Sequence, residues 1–393
     1  LARTVLFLTL ALFVVARPAR AEDDDDPQLR GRRLSEWLQM LREDSSVEHR
    51  RAALLATEMI GAAKSPRVVT GIIGTLRDDA DERLREAAAA ALGRVAERLA
   101  ARSAGEPAPF TAGRDALVAS LRTDTSMRVR TAAATALGRL EKADAAGAVS
   151  DLATAVGSAS APAPVRAAAA DSLRRIGKAA AGAVPALKQA LEDRSADETT
   201  RVRATQALGN VGNAAEAALP ALSAVLADAR SPVELVRAVA ETLGRLGPPA
   251  AASAPRLGEL LTAKSSDTEL RRSAVSALDR FGEDAAPALP ALRNALQDDD
   301  RFVRTLALHA IGQQSPPAGP EAHATVTAVL ACLGDRVVEV RVAAAETVAG
   351  LGTDVLGPDL ATARERLREA TRDGQKAVRE AAEVALKKLQ PAP

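Results

Sequence analysis

The 393-residue chain has no tyrosine, one tryptophan, one cysteine, three histidines and five phenylalanines. Rings fill thick cores, so their scarcity argues against a compact enzyme-like domain, and the length already exceeds what one core usually serves. A single cysteine excludes an intrachain disulfide and haem attachment through paired cysteines. Cys332 lies in the apolar run Val329-Leu330-Ala331-Cys332-Leu333 and reads as a small buried hydrophobe rather than a nucleophile. His49, His309 and His323 fall in different parts of the chain and do not combine into a metal-ligand motif. No Gly-Lys-Ser/Thr phosphate loop and no Gly-x-Ser-x-Gly elbow occurs. The sequence therefore assigns no catalytic residue, metal or cofactor. Charge of one sign is also missing, with 52 Lys plus Arg against 51 Asp plus Glu. That balance, with few aromatics for stacking bases, excludes an electrostatic reader of nucleic acid or anionic lipid.

What is present is apolar content of 47%, carried mostly by Ala, Leu and Val. Such side chains suit thin layers of closely packed helices, and Ala is the best helix former. Abundant, periodic apolar residues also exclude a disordered chain. The first 21 residues read as an export signal: Arg3, an apolar run from Val5 to Val15, then Ala19-Arg20-Ala21 as a small-x-small cleavage site. The run is too short for a membrane span, which needs ~20 residues. Cleavage near Ala21 would release a periplasmic or extracellular protein. Residues 22–27 then form an acidic leader, with Asp23 to Asp26 as a solvated tether; a calcium loop is disfavoured because no Gly turn or bidentate Glu is suitably placed.

From residue 28 to 390 the chain repeats. Asp and Arg recur six positions apart as Asp44/Arg50, Asp79/Arg85, Asp124/Arg130, Asp298/Arg304, Asp335/Arg341 and Asp373/Arg379, with further anchors at Arg166, Arg201 and Arg271 and a degenerate one at Val236. The anchors lie 33 to 45 residues apart, the period of a stacked helical solenoid. With the anchor Arg as position zero, small residues fall at +3 and +4. A large aliphatic recurs at +7: Leu92, Leu137, Leu173, Leu208, Leu243, Leu278, Ile311, Val348 and Leu386. Those offsets share one helical face. Gly at +11, as Gly177, Gly212, Gly247, Gly282 and Gly352, predicts a left-handed residue ending this Arg helix. Pro185, Pro220, Pro255 and Pro290 open a partner helix, where a missing N–H costs nothing. Each Asp is expected to accept from the free N–H groups at the start of its Arg helix, or to pair with the Arg one turn in. About ten helix pairs result, the first with Leu34, Trp37, Leu38 and Leu41 on one face. The longest step, from Arg85 to Arg130, holds a loop through Ser103–Phe110, in which Phe110 reads as a loop anchor.

Val-Arg-x-x-Ala-Ala-x-Ala-Leu-Gly-x-x-Gly, seen in Val129 to Gly138 and Val340 to Gly352, resembles HEAT repeats, specifically the bacterial bilin-lyase-like (PBS lyase-like) subgroup. The resemblance implies an all-α fold, a right-handed α-solenoid with Arg helices lining the inner face and Pro helices outside. It departs from the pattern at Val236 and at Ser160, where the Asp before Arg166 is expected; both predict local irregularity in curvature. Iron-binding HEAT proteins such as deoxyhypusine hydroxylase use His-Glu dipeptides, and none occurs here, since Arg50, Ala310 and Ala324 follow the histidines.

One row stands out for recognition. Position +9 is basic as Arg94, Arg139, Arg175, Arg245, Arg280 and Lys388, with Asn210 and Gln313 as polar substitutes. These groups either form a ridge for an acidic protein segment or a polyanionic glycan, or complement the helix dipole at its C-terminal end. The sequence points to an exported noncatalytic scaffold binding a protein partner along its concave face. The alternatives are a HEAT-family metal-dependent oxidoreductase or lyase-like enzyme, and an envelope structural protein binding a polyanionic glycan.

Overall fold

The structure, a computed structural model, describes residues 26–61, 65–102, 110–140, 142–263, 267–316 and 319–390. The export segment and most of the acidic leader lie outside these residues. Asp26, the last acid of the leader, is not a solvated tether: its carboxylate accepts from the backbone N–H and hydroxyl of Ser35, both at 2.7 Å, and pairs with Arg67 at 3.6 Å. No helix among the described residues is long and apolar enough to cross a membrane.

The chain divides into two compact units, residues 1–109 and 110–393. In the first, a two-residue antiparallel hairpin (Gln28–Leu29 with Arg32–Arg33) precedes the helix pairs Leu34–Glu43/Val47–Ile60 and Arg67–Asp78/Glu82–Arg102. Trp37 is buried and its indole N–H donates to the Leu29 carbonyl at 3.2 Å, tying the hairpin to the first helix. The Glu82–Arg102 helix runs past the usual end because its +11 position is the buried Ala96, not Gly.

The second unit stacks eight pairs, each Arg helix second. They are Thr111–Thr123/Met127–Leu137, Val149–Gly157/Ala163–Ile176, Val184–Glu192/Glu198–Leu208, Leu219–Ala227/Val233–Leu246, Ala254–Thr262/Thr268–Arg280, Leu289–Ala295/Arg301–Gly312, Pro320–Ala331/Val338–Leu356 and Leu360–Ala370/Lys376–Lys388. With two pairs in the first unit, the described residues hold ten, in line with the expected number of about ten. Every +7 residue from Leu92 to Val348 is fully buried, and Leu386 is half-buried. In four repeats of the second unit a Gly at +8 meets a small residue at +6 of the next repeat: Gly138, Gly209, Gly244 and Gly312 face Ser172, Thr242, Ala277 and Thr347. A Cβ on Gly244 would come 2.9 Å from Ala277 Cα, and one on Gly138 would come 2.5 Å from Ser172 Oγ.

The four prolines sit in the first turn of their helices, as their chemistry requires. The +11 glycines have positive φ, but three of them are not left-handed α residues. Gly177, Gly247 and Gly352 have φ/ψ of 68/−132, 67/−141 and 72/175, in or close to the extended positive-φ region that is essentially reserved for glycine. From there the chain enters a 3-10 turn, at Gly177–Ala183, Gly212–Ala218, Pro248–Ser253 and Gly282–Ala288. Three residues per turn align positions i and i+3, so Ala180/Ala183, Ala215/Ala218 and Ala285/Ala288 all point inward and are buried. Phe110 is an anchor: 7% exposed, it packs over Gly113, and its N–H donates to Asp144 at 2.9 Å.

Candidate functional site: a cleft on the Arg-helix face

The recurring Asp and Arg do not pair as their spacing suggests. Arg304 donates from Nη1 to the backbone carbonyl of Asp298, six residues earlier, at 2.8 Å, while Nε and Nη2 reach the carboxylate of Asp335, in the next repeat, at 2.9 and 3.0 Å. The same fork joins Arg50 to Asp79, Arg271 to Asp298 and Arg341 to Asp373, and Arg166 reaches Asp193 through one nitrogen at 3.1 Å. Each carboxylate also accepts the backbone N–H two residues on: Asp44 from Ser46, Asp79 from Asp81, Asp124 from Ser126, Asp298 from Asp300, Asp335 from Val337 and Asp373 from Gln375. Arg85 and Arg379 likewise hold the carbonyls of Asp79 and Asp373. The Asp caps its own turn and receives the Arg of the repeat before. The Arg341 fork, then the N–H of Gln375, holds the Asp373 carboxyl below the usual carboxylate range.

Where the fork is missing, a second arrangement appears. Arg130, Arg166 and Arg201 turn Nε onto the carbonyls of Leu121, Val156 and Leu191, each at 3.0 Å. Val236 cannot do this, and the matching carbonyl of Leu226 instead accepts from Arg256 of the following Pro helix at 3.0 Å. The turn-side charges are thus consumed by the fold.

The basic +9 row divides. Arg94 is held by the buried Glu58 through Nε and Nη2 at 2.8 and 2.7 Å, with Arg98 on the same carboxylate. Burial pushes the Glu58 carboxyl up, but Arg94 and Arg98 outweigh it and leave it below the usual range. Asn210 and Gln313 donate back to carbonyls of the preceding repeat, those of Arg174 and Asp279. Arg139 is half-buried, and Arg175 and Lys388 are exposed. Arg245 and Arg280, both exposed, are brought together in one cleft.

That cleft, about 490 Å³, lies on three successive Arg helices, Val233–Leu246, Thr268–Arg280 and Arg301–Gly312, and opens to solvent. Gly244 and Ala277 form its floor, Ser273 and Ser276 its middle, and Phe302 and Leu306 one end. Three guanidinia line it, Arg245, Arg272 and Arg280, against one carboxylate, Glu241. Arg272 is committed to Asp300 at 2.6 Å and Glu269 at 2.7 Å, and this places it 4.9 Å from the Phe302 ring centre, with Arg301 at 4.8 Å. Among the described residues neither Arg245 nor Arg280 forms an ion pair; Arg245 donates to the Asn210 side-chain oxygen. Phe302 is 50% exposed.

Spacing arguments miss Phe302 and Arg272. The available signal was a departure from pattern: position −2 holds Glu234, Glu269 and Glu339 in nearby repeats, and Phe only here. The three histidines each face an aspartate: His49 with Asp44 at 3.1 Å, His323 with Asp359 at 2.9 Å, and His309 with Asp279. Among the described residues no group of three or more His, Cys, Asp or Glu is placed to hold a metal ion. Cys332 is 7% exposed, and burial, then Asp335, raises its thiol to about 11.

Comparison with known proteins agrees with this architecture. A family model described as HEAT repeats matches residues 184–262, 230–312 and 254–328, and one described as a PBS lyase HEAT-like repeat matches residues 165–193. No curated protein matches the chain. Among solved structures, an engineered protein is similar at 20% identity and a TM-score of 0.59, over 92% of this chain and 99% of its own. Importin beta is similar at 17% identity and a TM-score of 0.57, over 90% of this chain and 50% of its own, so the chain spans about half of importin beta. At such identities the likeness is one of fold. The matches over residues 165–328, the antiparallel helix pairs of each unit and the inter-repeat Asp–Arg forks together identify a chain that carries HEAT repeats, one of them PBS lyase HEAT-like, in an all-α solenoid fold.

Proposed function

We propose that this protein is a noncatalytic scaffold that binds a protein partner along the open, inward face of its Arg helices, and that residues 1–21 direct it to the periplasm or the exterior. The observation that carries the reading is the cleft in which Arg245 and Arg280 have no carboxylate partner among the described residues, with a half-exposed Phe302 in the same cleft. A shallow surface spread over three repeats suits an extended partner better than an enclosed small substrate. With few aromatic anchors available, affinity is distributed over many polar contacts and is screened by salt. Affinity capture from an envelope fraction tests this: a protein partner is retained at low ionic strength and released as salt rises. Retention independent of salt would refute the distributed electrostatic account. Stoichiometric iron or zinc in the purified protein would favour an enzyme instead.

A further inference from the structure

Resting on the scaffold reading, we infer that the cleft between the Val233–Leu246, Thr268–Arg280 and Arg301–Gly312 helices takes an acidic peptide segment. Its apolar side chain sits on Phe302 and Leu306, and a carboxylate about four residues away lies between Arg245 and Arg280. The two ends of the cleft differ in chemistry. At one end Arg272 and Arg301 flank Phe302, but their charges are already met, Arg272 by Asp300 and Glu269 and Arg301 by Glu339 at 3.9 Å. What this end offers is an aromatic face with half its surface in solvent. At the other end stand two guanidinia, Arg245 and Arg280, with no carboxylate partner among the described residues. Glu241 on the wall is engaged by the Ser273 hydroxyl at 3.4 Å.

The distance between the ends sets the spacing of the ligand. Arg272 and Arg280 are eight residues apart on one helix, which is about 12 Å at 1.5 Å per residue. A peptide in extended or polyproline conformation covers that distance in about four residues. The hydroxyls of Ser273 and Ser276 line the path between and can meet its backbone. A polyanionic glycan fits less well, because it spreads charge evenly and leaves the charge-satisfied Phe302 end without a matching group.

The test is a displayed library of short random peptides panned against the full chain. Parallel pannings use Arg245→Ala with Arg280→Ala, and Phe302→Ala; these three side chains are exposed, so the variants retain the wild-type circular dichroism spectrum. Enriched peptides should pair an acid with an aromatic or large aliphatic residue about four positions away. A synthetic representative should weaken about tenfold on the double arginine variant, and about fivefold or more on Phe302→Ala. Replacing its acid by the amide should reproduce the arginine effect. No enrichment, enrichment without that pairing, or indifference to both variants would overturn the assignment. If panning fails while salt-sensitive capture of a protein succeeds, the cleft assignment falls and the scaffold reading stands; if capture fails as well, both fall. Displacement of the peptide by a heparin fragment, with Phe302→Ala silent, would replace the peptide with a glycan.

Discussion

Replacing Asp335 with Ala should loosen two repeats and leave the others intact. The carboxylate accepts Nε and Nη2 of Arg304 at 2.9 and 3.0 Å and the N–H of Val337 at 2.7 Å, so three donors lose their partner together. Arg304 is only 4% exposed, so water cannot readily take over the lost bonds. Breaking a buried pair by removing one partner costs about 3–5 kcal/mol. Two contacts moderate this: Arg304 keeps Nη1 on the carbonyls of Asp298 and Asp299, which places the expected loss near the lower bound, about 3 kcal/mol. Solenoid repeats couple mainly to their neighbours, so the measurement should be local. Native-state hydrogen exchange of the Arg301–Gly312 and Val338–Leu356 helices should show protection reduced by about two decades, at about 1.4 kcal/mol per decade. An exposed control, Glu269→Ala, which loses an i,i+3 pair with Arg272, should cost under about 1 kcal/mol. A reduction below tenfold for the Asp335 variant, or one spread evenly over all repeats, would refute the view that this fork locks adjacent layers.

Other consequences can be checked in parallel. Asp193, Asp300 and Asp373 are held below the usual carboxylate range by Ser195, Arg272 and Arg341 as their leading partners. Depressed carboxylates stabilise the fold fully above the ordinary value of about 3.9 and lose that stabilisation as pH falls through their lower folded values; melting temperature should fall on acidification below about pH 4 and be flat above it on this account. Gly247→Ala and Gly247→Asn should each cost about 1–3 kcal/mol in urea unfolding, because ψ of −141 lies outside the region Asn tolerates. Space is not the obstacle, since a Cβ would lie 3.8 Å from the Arg280 carbonyl; a neutral Asn variant would disprove the backbone argument. Arg256→Ala should cost about 1–3 kcal/mol by stranding the Leu226 carbonyl, and adding Val236→Arg should recover most of it. A thiol with a pKa of about 11 should leave Cys332 unreactive toward a disulfide reagent at neutral pH until denaturant exposes it.

The fold was legible because every repeat buries the same offsets: Ala169, Ala170 and Leu173 are interior for the reason that Ala204, Thr205 and Leu208 are. The partners of the Asp–Arg rhythm were not. A sequence interval of six records only the guanidinium bond to the turn carbonyl, whereas the carboxylate partner lies 27 to 32 residues away, in another layer. Local spacing carries no sign of such a bond. The 3-10 turns were available in the three-residue rhythm of Ala180 and Ala183, but that rhythm is faint beside the longer period. Of the basic +9 row, the sequence located Arg245 and Arg280 without distinguishing them from Arg94, whose charge Glu58 absorbs. The distinction depends on a buried acid supplied by the preceding repeat. Phe302 was missed because periodic reading discards what does not recur, and recognition resides in the exception.

The loan of Arg256 to the Leu226 carbonyl bears on how such an array can be cut and copied. Residues 212–246 and 247–280 look like two exchangeable copies of one module, yet the first is chemically finished only by the second. A duplication, deletion or graft whose boundary falls at Gly247 would leave a buried oxygen without its donor and carry away an arginine whose target is gone. For any engineered splice, the smallest transferable block in this stretch is the pair of repeats.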